Sequence, residues 1–315
     1  MAAAEDDCPL HDVLIVGAGP AGLTAATYLA RYRRDIVVVD AGKSRARWIP
    51  TSHNCPGFPF GVGGDQLLKR YRDQAGQYGV EVIEGRIGKL ERGAGEDAHF
   101  IATAEDGRRW RARHVLLATG VVDRMPALGS LPEAIEQQAV RLCAICDGYE
   151  ASDSEIAVLA PIDEAIRHAL FLRTYSCTVA AIATDDGAAD PALAAQADAA
   201  GVAMHPAPST MALDAGGVRV EWPDGRQHRF DTLYPVLGSD AQSGLALELG
   251  ARHDDNRELI VDASLRTSVE GLYAIGDVVS ALNQISVAVG HAALAATDVH
   301  NRLPRNMRPP APAER

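Results

Sequence analysis

Two cysteines near the middle of the chain are spaced for redox chemistry. Cys143 and Cys146 are separated by two residues, and Asp147 directly follows the second sulfur. Two thiols at this spacing can cycle between a dithiol and a disulfide, and a neighbouring carboxyl can carry the proton. The same spacing can also supply half of a zinc site, which needs a second Cys or His pair.

The other cysteines do not supply that second pair. Cys8, Cys55 and Cys177 are scattered along the chain, and we interpret each as a small core residue or a surface thiol. Five cysteines in 315 residues are too few for a disulfide scaffold, so a reducing compartment is expected. We therefore predict no metal and a redox-active pair.

Composition excludes several classes of function. The formal net charge is -12, whereas nucleic-acid binding requires clustered Lys and Arg, and such a cluster occurs only in the last dozen residues. Residues 1–7 lack a signal-peptide pattern, and the longest apolar runs are as long as strands rather than membrane spans. We expect a cytoplasmic protein with neither nucleic acid nor a membrane as partner.

A dinucleotide fingerprint occupies the start of the chain. The run 12–16 predicts a buried strand, a glycine-rich turn and a helix follow it, and a second strand ends at Asp40. In such turns the glycines allow a tight bend, close approach of a pyrophosphate and close packing of helix on strand, while the acid binds a ribose. We assign to nucleotide binding Gly17, Gly19, Pro20, Ala21, Gly22 and Asp40.

Later segments indicate that this domain is interrupted. Strands are predicted over 114–118 and 271–275, and between them 156–159, 164–175 and 179–182 predict a second βαβ unit. The expected fold class is α/β, with two Rossmann-like three-layer domains, the first split by an inserted domain that carries the cysteine pair. The predicted boundaries are 1–122 with 234–303, 123–233, and a C-terminal tail over 304–315.

The chain resembles the low-molecular-weight thioredoxin reductases over nearly its whole length. Five motifs occur in the family's order: 17–22 with Asp40, 54–59, 118–120, 143–148, and 276–277 with 283–285. The resemblance implies a homodimer, and an FAD domain interrupted by a pyridine-nucleotide domain. It also implies that Cys146 faces the flavin, that Cys143 meets a protein disulfide, and that Asp147 protonates the departing thiolate.

The same resemblance assigns further residues to FAD. Gly276 and Asp277 would hold its ribityl-pyrophosphate part, and Gln284 and Ile285 would approach the pyrimidine edge, where a helix N-terminus favours negative charge. An alternative interpretation of Asn283 and Gln284 is a helix cap. The remaining cofactor candidates are Ala118, Thr119, Gly120 and, more weakly, Asn54.

The inserted domain departs from the family at its own nucleotide turn. The family has GxGxxA after this strand, whereas the chain has Ala160, Pro161 and Ile162, followed by two acids. A branched side chain and a missing amide donor oppose a pyrophosphate there. After the next strand, family members that use NADPH have cations that bind its 2'-phosphate. This chain has Asp185 and Asp186 there instead. We therefore expect an electron donor other than NADPH.

Three functions follow from these patterns. The first is an FAD-dependent thiol–disulfide oxidoreductase that reduces a thioredoxin-like protein or a small disulfide, with ferredoxin, flavodoxin or reduced flavin as donor. The second is a dithiol oxidase in which oxygen is the acceptor. The third is a redox sensor in which the flavin and the thiols do not turn over.

The proline-rich tail cannot continue the last helix. We expect a frayed terminus. Alternatively, its basic residues could contact the flavin, the dimer mate or an acidic carrier protein; they include Arg302, Arg305 and Arg308.

Overall fold

The computed structural model describes residues 8–93, 99–279 and 282–308. The chain forms two compact units. The first comprises Met1–Arg47, Asp65–Val122 and Asp240–Arg315, and the second comprises Trp48–Gly64 and Asp123–Ser239. The boundaries expected from the sequence stay a prediction.

The chain contains both strands and helices, as expected of an α/β protein. The strands are β1 (Leu10–Val16), β2 (Ile36–Asp40), β3 (Val82–Glu84), β4 (Ile87–Arg92), β5 (Phe100–Ala104), β6 (Arg109–Leu117), β7 (Val121–Asp123), β8 (Ile156–Ala160), β9 (Val179–Ala183), β10 (Ala203–His205), β11 (Thr210–Asp214), β12 (Gly217–Glu221), β13 (Gln227–Phe230), β14 (Thr232–Pro235), β15 (Ser239–Ala241) and β16 (Leu272–Ala274). The helices are α1 (Pro20–Arg31), α2 (Gly64–Gly76), α3 (Leu131–Glu136), α4 (Ala144–Asp147), α5 (Ile162–Leu172), α6 (Pro191–Ala199), α7 (Gly244–Glu248) and α8 (Ile285–Arg302).

The first unit is built on a sheet of mixed direction. Its order is β3-β2-β1-β6-β5-β4, and β16 also pairs with β6. Strands β1, β2, β3, β6 and β16 run parallel, whereas β4 and β5 form an antiparallel edge. Val16 pairs with Val39 and with Leu117, so the carboxyl ends of β1, β2 and β6 lie at one edge. Ligands of open α/β sheets bind at this edge.

Both faces of that sheet are covered by apolar side chains. On one face α1 and α8 pack together through small residues, including Ala25, Ala26, Ala292 and Ala295, all fully buried. On the other face Leu14, Leu117 and Phe100 lie in a second buried cluster. Alanines allow the two helices to approach closely, which keeps the start of each helix near the sheet edge.

The second unit has its own parallel sheet, ordered β10-β9-β8-β14, and an antiparallel sheet, β11-β12-β13. The predicted β8-α5-β9 succession is confirmed. Helix α5 begins at Ile162 and ends at Leu172, however, rather than spanning 164–175. Pro161 accounts for the early start, because its extended backbone lies at the N-cap, where no amide donor is needed. The α/β fold class with two Rossmann-like units is confirmed.

The start of the C-terminal tail is not frayed, which corrects the expectation for residues 303–306. Arg34 donates to the carbonyls of Pro304 and His300 and to His300 Nδ1, at 2.8, 2.9 and 3.0 Å. The Asn306 amide donates to the carbonyl of Tyr32. Residues 309–315 lie outside the described residues. The described tail therefore closes onto the end of α1, a contact that proline content alone does not predict.

Replacing Arg34 with alanine is expected to lower the free energy of unfolding by about 2 kcal/mol or more, because three charge-assisted hydrogen bonds are lost. The Arg34 side chain is only 3% exposed. Urea unfolding followed by circular dichroism measures the effect. Arg31→Ala is the control, because Arg31 is the exposed last residue of α1 and its side chain contacts Tyr78. Equal midpoints for the two variants would contradict the anchoring role.

No helix among the described residues is long and apolar enough to cross a membrane.

Candidate active site

Cys143 and Cys146 form a disulfide in the second unit. Cys143 is the N-cap of the single-turn helix α4, and its sulfur accepts the backbone N–H of Cys146 at 3.1 Å. The turn ends at Gly148, where only a glycine fits, because a Cβ at this position would lie 2.6 Å from the carbonyl oxygen of Ala144. A side chain at this position would push the backbone of the cysteine loop apart, so the glycine keeps the loop compact.

The apolar side chains next to the disulfide are exposed. Ile145, between the two cysteines, is 55% exposed and Tyr149 is 78% exposed. Exposed apolar side chains beside a reactive disulfide are suited to contact with a partner molecule.

Asp147 is held by two side chains that the sequence analysis did not identify. Tyr234 donates its hydroxyl to Asp147 Oδ1 at 3.0 Å, and Arg141 Nη1 lies 3.3 Å from Oδ2. Burial raises the pKa of Asp147, and the Arg141 charge and the Tyr234 hydrogen bond oppose that rise. A carboxyl with a raised pKa retains its proton closer to neutral pH, as an acid catalyst must.

A glycine cradle lies at the sheet edge of the first unit, where the fingerprint predicts it. A Cβ on Gly17 would lie 2.4 Å from the carbonyl oxygen of Ala118, and one on Gly22 would lie 1.9 Å from that of Gly17. Pro20 and Ala21 form the first turn of α1, which contains no acid. The structure thus brings the fingerprint and the end of β6 together, and the start of α1 can receive a phosphate.

Asp40 is buried and braces this turn. Its Oδ1 accepts the N–H of Ala18 at 3.0 Å, and its Oδ2 lies 3.2 Å from Nη2 of Arg72. The carboxylate therefore positions the backbone of the cradle, and each oxygen retains a lone pair for a ribose hydroxyl. The contact with Arg72 lies 32 residues away along the chain, and the fingerprint does not predict it.

Gly276 and Asp277 lie at the same edge. A Cβ on Gly276 would contact Cβ of Ala21 at 3.0 Å, which joins the start of α1 to the segment before α8. Asp277 forms an ion pair of 3.1 Å with Arg45. Arg45, like Tyr234, Arg141 and Arg72, was not identified from the sequence, although its place after β2 in a run with Lys43 and Arg47 was a usable signal. A cation here suits a phosphate-bearing ligand.

The start of α8 lies where the sequence predicted. Gln284 is the N-cap and Ile285 the first helical residue, and Gln284 caps without a side-chain hydrogen bond. Among the described residues, the buried atoms Asn283 Oδ1 and His291 Nδ1 have no hydrogen-bond partner. Buried polar atoms of this kind are ordinarily satisfied by water or by a ligand.

These features fit a dinucleotide such as FAD: bare backbone at a helix start, a neighbouring cation, and unsatisfied polar atoms. Three other candidates, Thr119, Gly120 and Asn54, have local features of their own in the structure. The Thr119 hydroxyl donates to the carbonyl of Gln242 at 2.7 Å, and Gly120 has a φ of +65°. Asn54 lies in the second unit, where its Oδ1 accepts from Ser52. The cofactor roles of all these residues remain predictions.

The turn after β8 in the second unit is short. Pro161 alone separates β8 from α5, and its carbonyl accepts the N–H of Ala165. Asp163 accepts the N–H of Asp190, and Glu164 pairs with Arg167 at 2.7 Å. The acids at this helix start are therefore part of the local hydrogen bonding. Among the described residues no group of three or more His, Cys, Asp or Glu side chains could hold a metal ion.

Comparisons with known proteins agree with this geometry. The sequence model of the pyridine nucleotide-disulphide oxidoreductases matches residues 11–292. A thioredoxin reductase from Listeria monocytogenes is 28% identical over 304 residues, which cover 91% of this chain and 92% of the relative. The crystal structure of HlmI superimposes with a TM-score of 0.85 at 28% identity and covers 92% of each chain. Thioredoxin reductase from Streptococcus pyogenes gives a TM-score of 0.84 at 27% identity, over 93% of this chain and 97% of that one.

Proposed function

The chain belongs to the pyridine nucleotide-disulphide oxidoreductase family, and we propose that it reduces a thioredoxin-like disulfide with electrons from a donor other than NADPH. It is a disulfide oxidoreductase of the thioredoxin reductase class, with FAD as its cofactor. Thioredoxin as substrate is proposed by analogy with the relatives so named. A homodimer in the cytoplasm is part of the same proposal.

The proposed thiol–disulfide exchange is supported above all by one observation. Cys143 and Cys146 form a disulfide, and Asp147 lies on the same helical turn. The described residues place a largely buried carboxyl, 20% exposed and held by Arg141 and Tyr234, next to the second cysteine in sequence. FAD, when bound, supplies two-electron exchange with the cysteine pair. A structural disulfide would have no need of a raised-pKa acid at this position.

The chain's own residues then perform the exchange in two steps. The Cys143 thiolate attacks one sulfur of the partner disulfide, forming a mixed disulfide, and the other partner sulfur departs with a proton from Asp147. Cys146 then loses its proton to the Asp147 carboxylate and attacks Cys143. This restores the Cys143–Cys146 bond and releases the second partner sulfur, which takes up the proton from Asp147. The partner gains two electrons and two protons: the cysteine pair supplies both electrons and the proton of Cys146, and Asp147 supplies the other proton and ends as a carboxylate.

The proposed donor specificity rests on the turn after β8. The branched side chain of Ile162 stands where a fingerprint glycine would expose the backbone, and Pro161 lacks an N–H. Asp163 and Glu164 place negative charge in the first turn of α5, which disfavours a phosphate. Asp185 and Asp186 are exposed after β9. These observations favour ferredoxin, flavodoxin or free reduced flavin over NADPH.

Anaerobic mixing of the oxidised holoenzyme with NADPH is expected to leave the flavin absorbance unchanged on the catalytic timescale. A turnover rate of about 10 per second is typical of enzymes, so bleaching at that rate would overturn the donor proposal. Reduced ferredoxin, reduced flavodoxin and photoreduced FMN form the comparison series, and an NADPH-dependent thioredoxin reductase is the positive control. Hydrogen peroxide release from dithiols in air, without reduction of thioredoxin by any donor, would indicate a dithiol oxidase instead.

A further inference from the structure

The carboxyl of Asp147 is held from two directions by a cation and a hydroxyl. Arg141 Nη1 lies 3.3 Å from Oδ2, and the Tyr234 hydroxyl donates to Oδ1 at 3.0 Å and contacts the Asp147 carbonyl oxygen at 3.3 Å. Both oxygens of the carboxyl thus have a partner. Its orientation is fixed rather than left to solvent.

The backbone brings the two partners together. The N–H of Arg141 donates to the carbonyl of Leu233 at 3.0 Å, and Leu233 is the neighbour of Tyr234 on β14. Tyr234 pairs with Val158 in the parallel sheet and is 1% exposed. The Arg141 side chain is 10% exposed, and its Nη2 donates to Gln138. Both partners are therefore anchored in the core of the second unit, independently of Asp147.

The charges that surround the carboxyl have opposing effects. Burial raises the pKa of Asp147, and Glu150 raises it further, while Arg141 and Tyr234 lower it. His53 lies 3.9 Å from Glu150. Burial and the Asp147 charge raise the pKa of Tyr234 far above its usual range, so this hydroxyl acts as a permanent donor. Of the groups named around Asp147, Arg141 is the one whose positive charge does not change with pH.

We propose that Arg141 and Tyr234 are positioning residues that set the pH at which Asp147 exchanges its proton with the cysteine pair. The proposal rests on the proposed function, in which Asp147 protonates the departing thiolate. Without Arg141 the largely buried carboxyl would stay protonated to higher pH and would give its proton to the departing sulfur less readily. Without either partner the carboxyl would lose its fixed orientation.

Infrared difference spectra of the oxidised holoenzyme, recorded across pH, test the proposal without turnover. The carboxylic-acid C=O band that Asp147→Asn removes gives the protonation midpoint of this one group. In Arg141→Met the midpoint should move upward by about one pH unit or more, as expected when an adjacent arginine is lost. Tyr234→Phe should move it upward by less. Arg141→Lys, which restores the charge, should return it toward the wild-type value.

Arg219→Met is the matched control, because Arg219 pairs with Asp214 at an exposed position of the same unit. An unmoved midpoint in folded, flavin-bound Arg141→Met overturns the proposal. If that variant does not fold, an unmoved midpoint in Tyr234→Phe overturns it equally. The alkaline limb of the pH profile for thioredoxin reduction should follow the midpoint. If the midpoint moves and the profile does not, the positioning of Asp147 stands and its role as the acid in the proposed function fails.

Discussion

Serine in place of Cys143 is expected to lower the rate of thioredoxin reduction by about a thousand-fold or more, because loss of an essential nucleophile has effects of this size or larger. A serine hydroxyl is not ionised at neutral pH and cannot form the mixed disulfide. The measurement is a single turnover. Enzyme reduced with dithionite and freed of excess reductant is mixed with oxidised bacterial thioredoxin, and new thioredoxin thiols are counted by alkylation.

Cys146→Ser is the informative counterpart. This variant keeps the attacking sulfur and loses the resolving one, so it should accumulate a covalent adduct with thioredoxin that a non-reducing gel detects. Cys143→Ser should give no adduct. Cys177→Ser serves as control, since Cys177 is an exposed free cysteine, and it should behave as wild type. Adduct formation by Cys143→Ser instead of Cys146→Ser would reverse the two roles, and full turnover in both variants would show that the pair is not catalytic.

The expected difference between the two cysteines has a physical basis in the cysteine loop. Cys143 is the N-cap of α4, and the N–H of Cys146 points at its sulfur at 3.1 Å. A backbone donor aimed at a sulfur stabilises negative charge there. Cys146 lies within the helical turn and directly precedes Asp147. Cys143 is therefore the better placed of the two to persist as an attacking thiolate, and Cys146 to exchange a proton with the carboxyl.

The parts of the site that the sequence predicted are those fixed by short-range geometry. The strand before Gly17 and the acid at Asp40 lie where the fingerprint requires, because the turn and both strands form one local unit. Steric demands within this unit leave few alternative arrangements. The start of α8 at Ile285, by contrast, was predicted from the resemblance to the thioredoxin reductases.

The partners of the functional groups could not be predicted in this way. Tyr234 is 87 residues from Asp147, and Arg45 is 232 residues from Asp277. Residues so far apart in sequence come into contact only after the sheet of their unit has formed. Before that, many other arginines and tyrosines of the chain are equally good candidates for the same contact. Arg34 illustrates the same limit, because its burial under residues 300–304 follows from the packing of α8 on α1.

Alanine at Gly22 is expected to prevent formation of the cofactor cradle. The new Cβ would lie 1.9 Å from the carbonyl oxygen of Gly17, and Ala118 Cβ would be 3.3 Å away. The closer obstacle is backbone, which cannot move without displacing α1 from β1. We expect a loss of about 3 kcal/mol or more in the free energy of unfolding. The purified protein should therefore carry little flavin, measured as the ratio of visible to protein absorbance.

Alanine at Gly19 separates cofactor binding from folding. Gly19 has a φ of -76°, which alanine adopts readily, and its Cβ would meet only Ser44 Oγ, at 3.3 Å. That hydroxyl is the end of a side chain that can rotate away. The unfolding midpoint of Gly19→Ala should therefore stay near that of Gly76→Ala, an exposed glycine control with nothing within 4 Å.

The methyl group added in Gly19→Ala would nevertheless cover the backbone where a pyrophosphate must approach. We expect flavin affinity, measured by fluorescence titration of deflavinated protein, to fall about a hundred-fold, which corresponds to about 2.8 kcal/mol. Wild-type affinity in a stable Gly19→Ala variant would show that the pyrophosphate does not lie on this turn.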